Sequence, residues 1–167
     1  MNPIKSRRII KKKAMDSGKD SYLLKTAPND MAVCKTCGAV YHGKRWSLGK
    51  KIAPVLKKPV PVLCPACQKI RDNFADGFVT LKGSFLNAHR DEIIALVRNK
   101  EAHAMYHNPL DRVISVKSGK NTVDITTTTE KLAERIGQMI KKAYSGNVEY
   151  KWSADTKLAR IVWTRDA

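Results

Sequence analysis

The sequence lacks any apolar run that approaches the roughly 18 residues typical of a transmembrane helix. Its first residues, Met1 to Lys13, are basic but are not followed by the apolar segment of a secretory signal. We therefore expect a cytoplasmic protein with no membrane partner. In such a reducing compartment, paired cysteines indicate metal binding or redox chemistry more often than disulfides.

Motifs of the common enzyme classes are also missing. There is no G-x-S-x-G, no H-E-x-x-H and no glycine-rich dinucleotide turn. Residues 43–51 resemble a phosphate-binding loop, but five residues separate Gly43 from Gly49 where that loop has four. Lys51 also stands where a Ser or Thr would hold Mg²⁺. We expect no catalytic residue and no small-molecule substrate, so the chain is not predicted to be an enzyme.

Acidic residues are scarce. The chain has 15 Asp and Glu against 32 Lys and Arg, a formal net charge of +17. Residues 1–70 hold 16 of the basic residues and three acidic ones, a net charge of +13, whereas residues 71–167 carry only +4. An excess of this size indicates a polyanionic partner, and its distribution places the contact surface in the N-terminal part.

The chain has four cysteines, Cys34, Cys37, Cys64 and Cys67, which form two C-x-x-C pairs separated by 26 residues. Two such pairs supply the four thiolates of a tetrahedral site, the arrangement that suits Zn²⁺. We predict one structural zinc ion, because four thiolates leave no position open for water. Iron and a pair of disulfides are the alternatives, and His42 could replace one thiolate.

Three segments follow from the composition. Residues 1–28 are predicted to be a basic flexible arm, either solvated or ordered only on a phosphate backbone. Residues 29–75 contain the cysteine pairs and a loop from His42 to Pro59 rich in Lys, Gly and Pro, and are predicted to be a zinc ribbon. Residues 76–167 are predicted to be an α+β domain.

The α+β prediction rests on hydrophobic periodicity. A helix is expected from about Ser84 to His107, with Leu86, Ile93, Val97 and Ala104 on one stripe. A second helix should follow Thr127, which with Glu130 fits a capping box. Strands are expected around them in the order β-α-β-β-α-β-β. This order predicts a layer domain with two helices on one face of a mostly antiparallel sheet.

Basic residues with interspersed aromatic residues are typical of RNA-binding surfaces, and no helix–turn–helix pattern favours sequence-specific DNA binding. Trp46 could stack on an unpaired base or fill the small core of the ribbon, whereas Tyr150, Trp152 and Trp163 alternate on strands and are predicted to be core. The candidate nucleic-acid-binding residues are Lys5, Arg7, Arg8, Lys11, Lys12, Lys13, Lys44, Arg45, Trp46, Lys50, Lys51, Lys57 and Lys58.

Two resemblances add to this interpretation. The cysteine pairs, followed by Lys69-Ile70-Arg71-Asp72, resemble the N-terminal cysteine module of the NMD-type adaptors that bind the large ribosomal subunit. Over roughly residues 30–165 the chain is similar to a family of short bacterial zinc-ribbon proteins. The shared runs are Gly77-Phe78-Val79-x-Leu81-x-Gly83-x-Phe85-Leu86, Arg98-Asn99, Asn108-Pro109-Leu110, Ile125-Thr126-Thr127-Thr128 and Tyr150-x-Trp152. The resemblance implies an rRNA or ribosome partner, with the large subunit favoured and ribosomal proteins as further candidate partners.

Two functional hypotheses follow. The first is a ribosome-associated zinc-ribbon protein that contacts rRNA through its basic arm and ribbon. The second is a zinc-ribbon adaptor that binds a protein partner through the α+β domain, with the arm serving only as an address or solubility element.

Overall fold

The computed structural model describes Tyr22, residues 31–48 and residues 59–167. Within these residues the chain is α+β with mostly antiparallel sheets, as the sequence predicts, and it contains three helices and two sheets. We call residues 31–48 and 59–75 the cysteine module and residues 76–167 the α+β domain. The boundaries at 28/29 and 75/76 remain predictions.

The cysteine module contains a four-stranded sheet in the order β3-β2-β1-β4. Neighbouring strands run antiparallel except β1 and β4, which are parallel. The strands are β1 (Ala32–Cys34), β2 (Ala39–His42), β3 (Arg45–Leu48) and β4 (Val60–Val62).

Strands β2 and β3 form a tight hairpin, with His42 paired to Arg45. The two turn residues both have positive φ, 56° at Gly43 and 62° at Lys44. Positive φ at both positions is typical of the turn that matches the twist of a two-residue hairpin. The predicted loop from His42 to Pro59 is therefore wrong in its first part, because the turn returns the chain into a strand. Residues 49–58 of that loop lie outside the described residues.

The second cysteine pair opens helix α1 (Pro65–Asp72), which the sequence did not predict. Cys64 is its N-cap and Pro65 occupies the first turn, where a residue without an N–H leaves no donor unsatisfied. The helix ends at Asn73, which is left-handed with φ of 51° and donates its N–H to the carbonyl of Ile70.

The α+β domain contains a five-stranded sheet in the order β6-β7-β5-β9-β8. Its strands are β5 (Gly77–Lys82), β6 (Val113–Ser118), β7 (Thr122–Thr127), β8 (Asn147–Trp152) and β9 (Ala159–Thr164). Three neighbouring pairs are antiparallel, and the central pair β5 and β9 is parallel. With the two helices described next, the element order is the predicted β-α-β-β-α-β-β.

Helix α2 (Leu86–His107) begins two residues after the predicted start and ends where predicted. The four residues of its predicted stripe are the four that it buries, so this prediction is confirmed. Asn108 follows in an extended conformation, which the next residue, Pro109, favours. Although α2 is the longest described helix, none in the described part of the chain has the length and apolar character needed to cross a membrane.

Helix α3 (Glu130–Tyr144) packs on the sheet, against β5 and β9 and more lightly against β7 and β8, and also contacts α2. The predicted cap at Thr127 is wrong. Thr129 is the N-cap, and its Oγ1 accepts the Leu132 N–H at 3.2 Å. Thr127 instead donates to the Thr129 carbonyl. In a run of four threonines, the strand continues through Thr127, which shifts the cap by two residues.

One core of sixteen buried residues joins the two helices to one face of this sheet. Trp163 is fully buried, and Tyr150 and Trp152 pack against the core from β8, so the prediction that these aromatic residues are core is confirmed. The other core residues on the strands alternate along them, among them Val79, Leu81, Val123, Ile125 and Ile161.

The cysteine module is joined to the α+β domain by polar contacts. Lys69 of α1 is only 7% exposed, and its Nζ donates to Asp76 Oδ2 at 2.7 Å and to the Thr128 carbonyl at 3.1 Å. Thr128 Oγ1 in turn donates to the carbonyl of Leu110, whose side chain packs against the core of the cysteine module. Two of the runs behind the resemblance, 108–110 and 125–128, thus meet at this junction.

Candidate metal centre and nucleic-acid interface

Two different local structures bring the four cysteines together. Cys34 ends β1, Cys37 lies in the turn that follows, Cys64 caps α1, and Cys67 lies in the first turn of α1. Their four Sγ atoms all lie within 4.8 Å of one another, and those of Cys37 and Cys64 are 3.7 Å apart. The predicted clustering of the four cysteines is confirmed.

Backbone hydrogen bonds hold the two pairs in register. The Gly38 N–H donates to the Cys34 carbonyl at 2.9 Å, and Gly38 has a φ of 76°, a conformation that glycine adopts without strain. The Lys35 N–H donates to the Val62 carbonyl at 2.9 Å, which ties the first turn to β4. The arrangement of the sulfurs is thus built into the backbone of the module.

Amide groups also point at the sulfurs. The Cys64 N–H lies 3.4 Å from Cys34 Sγ, and the Cys67 N–H lies 3.4 Å from Cys64 Sγ. Burial alone raises the pKa of the Cys34 thiol, but N–H groups that include those of Cys37 and Cys64 outweigh burial and lower this pKa to about 6. The Cys34 thiol therefore ionises more readily than an ordinary cysteine, and the thiolate is the form that binds metal.

The pKa values of the other two buried thiols, Cys64 and Cys67, are raised instead of lowered. Burial raises the pKa of Cys67 to about 11, with a further contribution from the nearby charge of Cys37. Burial also raises the pKa of Cys64, again with the charge of Cys37 adding to it. Four thiolates cannot all be ionised at this distance without a cation between them, so metal binding would release protons from the cluster.

The donor set fits a tetrahedral metal ion. Sulfurs about 2.3 Å from a zinc ion at tetrahedral angles lie about 3.8 Å from one another, close to the 3.7 Å between Cys37 and Cys64. The second pair follows a strand and opens a helix, which is typical of redox pairs. However, the first pair lies in the same cluster, which favours shared coordination. His42 is exposed on β2 and is not part of this cluster.

Three candidate nucleic-acid-binding residues lie on the β2–β3 hairpin. Lys44 and Arg45 are exposed at its tip. Trp46 is 9% exposed and belongs to the core of the cysteine module, where it packs on Tyr41 with ring centroids 5.3 Å apart. The core alternative for Trp46 is thus confirmed, and a nucleic-acid contact through Trp46 stays a prediction.

A groove of about 700 Å³ lies between this hairpin and the end of α2. The hairpin contributes Tyr41, Lys44, Arg45 and Trp46, and the α+β domain contributes His107, Asn108 and Leu110. No local pattern predicts that His107 and Tyr41 line one groove, because 65 residues separate them in the chain. Only the packing of the cysteine module onto α2 brings them together.

The remaining candidate basic residues lie outside the described residues. They are Lys5, Arg7, Arg8, Lys11, Lys12, Lys13, Lys50, Lys51, Lys57 and Lys58. Within the predicted arm the structure describes Tyr22, which contacts the end of α1. Its hydroxyl donates to Asp72 Oδ2 at 3.2 Å, and its ring lies 5.3 Å from that of Phe74.

Sequence reasoning missed helix α1 and the junction residue Lys69. Pro65 directly after a cysteine was a usable signal for α1, because proline favours the first turn of a helix. Lys69 carried no such signal, since its partners Asp76 and Thr128 follow from tertiary packing. Comparison with protein-family models and with curated protein sequences gives no match.

Proposed function

We propose that this chain is a zinc-ribbon RNA-binding protein that associates with the ribosome and contacts rRNA through its basic arm and cysteine module. The observation that carries the proposal is the charge distribution, +13 over residues 1–70 against +4 over the rest. The resemblance to large-subunit adaptors favours the large ribosomal subunit, with ribosomal proteins as neighbouring contacts.

Zinc is the metal that we propose for the cysteine cluster. Cys34, Cys37, Cys64 and Cys67 would supply four thiolates to one ion, and this soft tetrahedral set suits zinc. A site closed by four sulfurs has no position for a reacting water, so the ion stabilises the fold and has no catalytic role. Metal analysis of the purified protein should give one zinc per chain, and a stoichiometric iron content would contradict the assignment.

The hairpin is suited to contact phosphates. Lys44 and Arg45 are exposed at a tight turn, and Arg45 is paired through β3 to the rest of the sheet. Cations held on a rigid element lose less conformational freedom when they bind than cations on a flexible chain. Ten further candidate basic residues lie in the arm and in residues 49–58. In the sequence these two segments precede and follow strands β1 to β3.

The direct test is sedimentation of the tagged protein in a cell lysate on a sucrose gradient, at low and high salt and with and without nuclease. We expect it to migrate with a ribosomal particle at low salt and to be released at high salt. If six to ten phosphates are neutralised, affinity should fall about 10³–10⁵-fold between 50 and 200 mM salt. Protein that stays at the top of every gradient would contradict ribosome association.

The chain offers a matched charge control. Lys44→Glu with Arg45→Glu reverses two charges on the hairpin of the cysteine module, and Lys117→Glu with Lys120→Glu does so around the exposed β6–β7 hairpin. The first pair should reduce co-sedimentation and the second should have little effect. An equal loss of co-sedimentation in both variants would mean that binding depends on total charge alone and that the cysteine module is not the contact surface.

A second candidate function is the protein adaptor, which one feature of the α+β domain favours. A groove of about 570 Å³ between α2 and α3 is lined by Leu96, Met139 and Ala143 and by Lys100, Arg135, Gln138 and Lys142. Apolar residues beside cations suit an acidic amphipathic segment of another protein. Deletion of residues 1–28 separates the two functions, because protein capture would survive it whereas rRNA binding should weaken.

A further inference from the structure

The groove between the β2–β3 hairpin and the end of α2 unites features that neither half of the molecule has alone. Its volume of about 700 Å³ falls within the roughly 300–1,000 Å³ typical of pockets for small organic groups. Two cations line it from the cysteine module, and an imidazole lines it from the α+β domain. In sequence, the hairpin also leads directly towards Lys50 and Lys51.

The aromatic residues of the groove are suited to an unpaired base. Tyr41 is half-buried because one side packs on Trp46, so its position is fixed before any ligand arrives. His107 is exposed at the last position of α2, with the rings of His103 and Tyr106 about it at 5.1 and 5.4 Å. Flat rings of tyrosine and histidine stack on unpaired bases irrespective of sequence.

The charges at the two ends of the groove favour one orientation of a bound nucleotide. Helix α2 ends at His107, and the unpaired carbonyls at a helix C-terminus carry partial negative charge. A phosphate is therefore disfavoured at that end of the groove. Lys44 and Arg45 lie on the hairpin side, where a phosphate is attracted.

We propose that this groove binds one unpaired nucleotide of the RNA, with its base against Tyr41 and His107 and its phosphate against Lys44 and Arg45. The inference rests on the proposed RNA-binding function and adds to it the form of RNA that is recognised. A base inside a duplex is stacked and paired and cannot enter the groove, so single-stranded RNA is preferred at this site. The site is also composite, since it needs the α+β domain as well as the basic module.

The test uses the full chain loaded with zinc and two fluorescein-labelled probes, a single-stranded ten-nucleotide uridine oligomer and a stably paired blunt RNA duplex, and each variant is compared with the wild type on the same probe. His107→Ala should weaken binding of the single strand about 5- to 150-fold, the range for loss of one stacked base. It should leave binding of the duplex unchanged. His89→Ala is the matched control, because His89 lies in the first turn of the same helix and does not line the groove. It should bind both probes as the wild type does.

Tyr41→Leu tests the other wall. Leucine keeps an apolar contact with Trp46 but cannot stack on a base, so the single strand should again lose affinity while zinc content is retained. Unchanged affinity in both His107→Ala and Tyr41→Leu, or an equal loss for duplex and single strand, would overturn the groove assignment and leave the RNA-binding function standing. A wild-type protein that binds neither probe and no ribosomal particle would overturn the proposed function itself.

Discussion

The cysteine module and the α+β domain reach a folded state by different means. The core of the module has six buried residues, of which three are cysteines and one, Trp46, is a large apolar side chain. The core of the α+β domain has sixteen, all of them apolar and without a cysteine. Burial of a large apolar side chain contributes roughly 1.5–3 kcal/mol, so the domain has an ample apolar core and the module does not. The proposed metal ion at the sulfur cluster would supply the stability that this small core lacks.

The same difference bears on function. A small sheet held together at one point by a metal can expose most of its surface, because few of its side chains are needed for a core. The hairpin of the module accordingly exposes Lys44 and Arg45. The helical face of the larger sheet is covered by α2 and α3. The proposed nucleic-acid contact through the module fits this division.

Removal of the proposed zinc ion should have the largest effect, and that effect should be confined to the cysteine module. Structural zinc sites of this kind contribute about 10–16 kcal/mol of apparent binding free energy, and in a module without a core that energy is folding energy. A strong chelator, or Cys64→Ser, should abolish amide-exchange protection in residues 32–48 and 60–70. Residues 77–164 should remain protected. Mass-resolved hydrogen exchange of the full chain measures both regions in one experiment.

The control for that prediction is Ser47→Ala, a change of similar size in the sheet of the cysteine module that replaces no metal-binding thiol. It should leave metal content and exchange unchanged. Full protection of residues 32–48 after chelation would show that the module folds without metal. Loss of protection across the whole chain would show that the two regions unfold as one unit.

The complementary change weakens the larger core. Ile136 is fully buried on α3 between the helix and the sheet, and Ile136→Ala should lower the free energy of unfolding of the α+β domain by about 2–5 kcal/mol. Urea unfolding followed through the domain's tryptophans, Trp152 and Trp163, measures the loss. The zinc content at low urea should not change, because the cysteine cluster contains no residue of this core. A variant that unfolds with the wild-type midpoint would contradict the assigned role of Ile136.

Local patterns predicted the α+β domain better than the cysteine module, for a physical reason. The stripe of α2 and the alternation of β5 repeat over enough residues to identify each element. The module has strands of three or four residues, too short for any period to show. The cysteine cluster was still predictable, because the C-x-x-C spacing is set by metal coordination and does not depend on periodicity.

The groove was not predictable from local pattern. Tyr41 and His107 meet only because the module packs on the end of α2, and this packing depends on Leu110 and Lys69. The parallel pairing of β5 with β9 likewise needs knowledge of which strands become neighbours. Such contacts are decided by the global arrangement of the core. The cap of α3 is an intermediate case, since four consecutive threonines give several candidates and the end of β7 selects Thr129.

The contact of Lys69 with the α+β domain tests how much the two regions stabilise each other. Lys69→Met removes the charge that binds Asp76 Oδ2 and the Thr128 carbonyl, while it keeps most of the side-chain volume. Because hydrogen bonds to charged groups contribute about 1.5–3 kcal/mol, stability should fall by about that amount. Urea unfolding and hydrogen exchange at residues 65–72 measure the change. Asp76→Asn in the same background should add little, since its partner is already gone, whereas full additivity would contradict a direct interaction.

The smallest expected effect is a pH dependence confined to the α+β domain. Asp111 is 2% exposed, and burial raises its pKa above the ordinary 3.8, although the Thr129 hydroxyl at 2.8 Å and Arg135 at 3.4 Å oppose the shift. Between 3.8 and the raised value, the folded state holds more protons than the unfolded state. Stability contributed by the protonated carboxyl is therefore complete below 3.8 and is lost as pH rises through the folded pKa.

Asp111→Asn removes this titration while it keeps an oxygen that can accept from Thr129. The free energy of unfolding of the wild type, minus that of the variant, should therefore decrease as pH rises from about 3 and then level off above the folded pKa. Urea unfolding monitored through Trp152 and Trp163 measures this difference, and thiol protonation in the cysteine module cancels because both proteins share it. Asp155→Asn, at an exposed position, is the control and should show no such trend. A difference that increases with pH would mean that Arg135 and Thr129 stabilise the carboxylate by more than burial disfavours it.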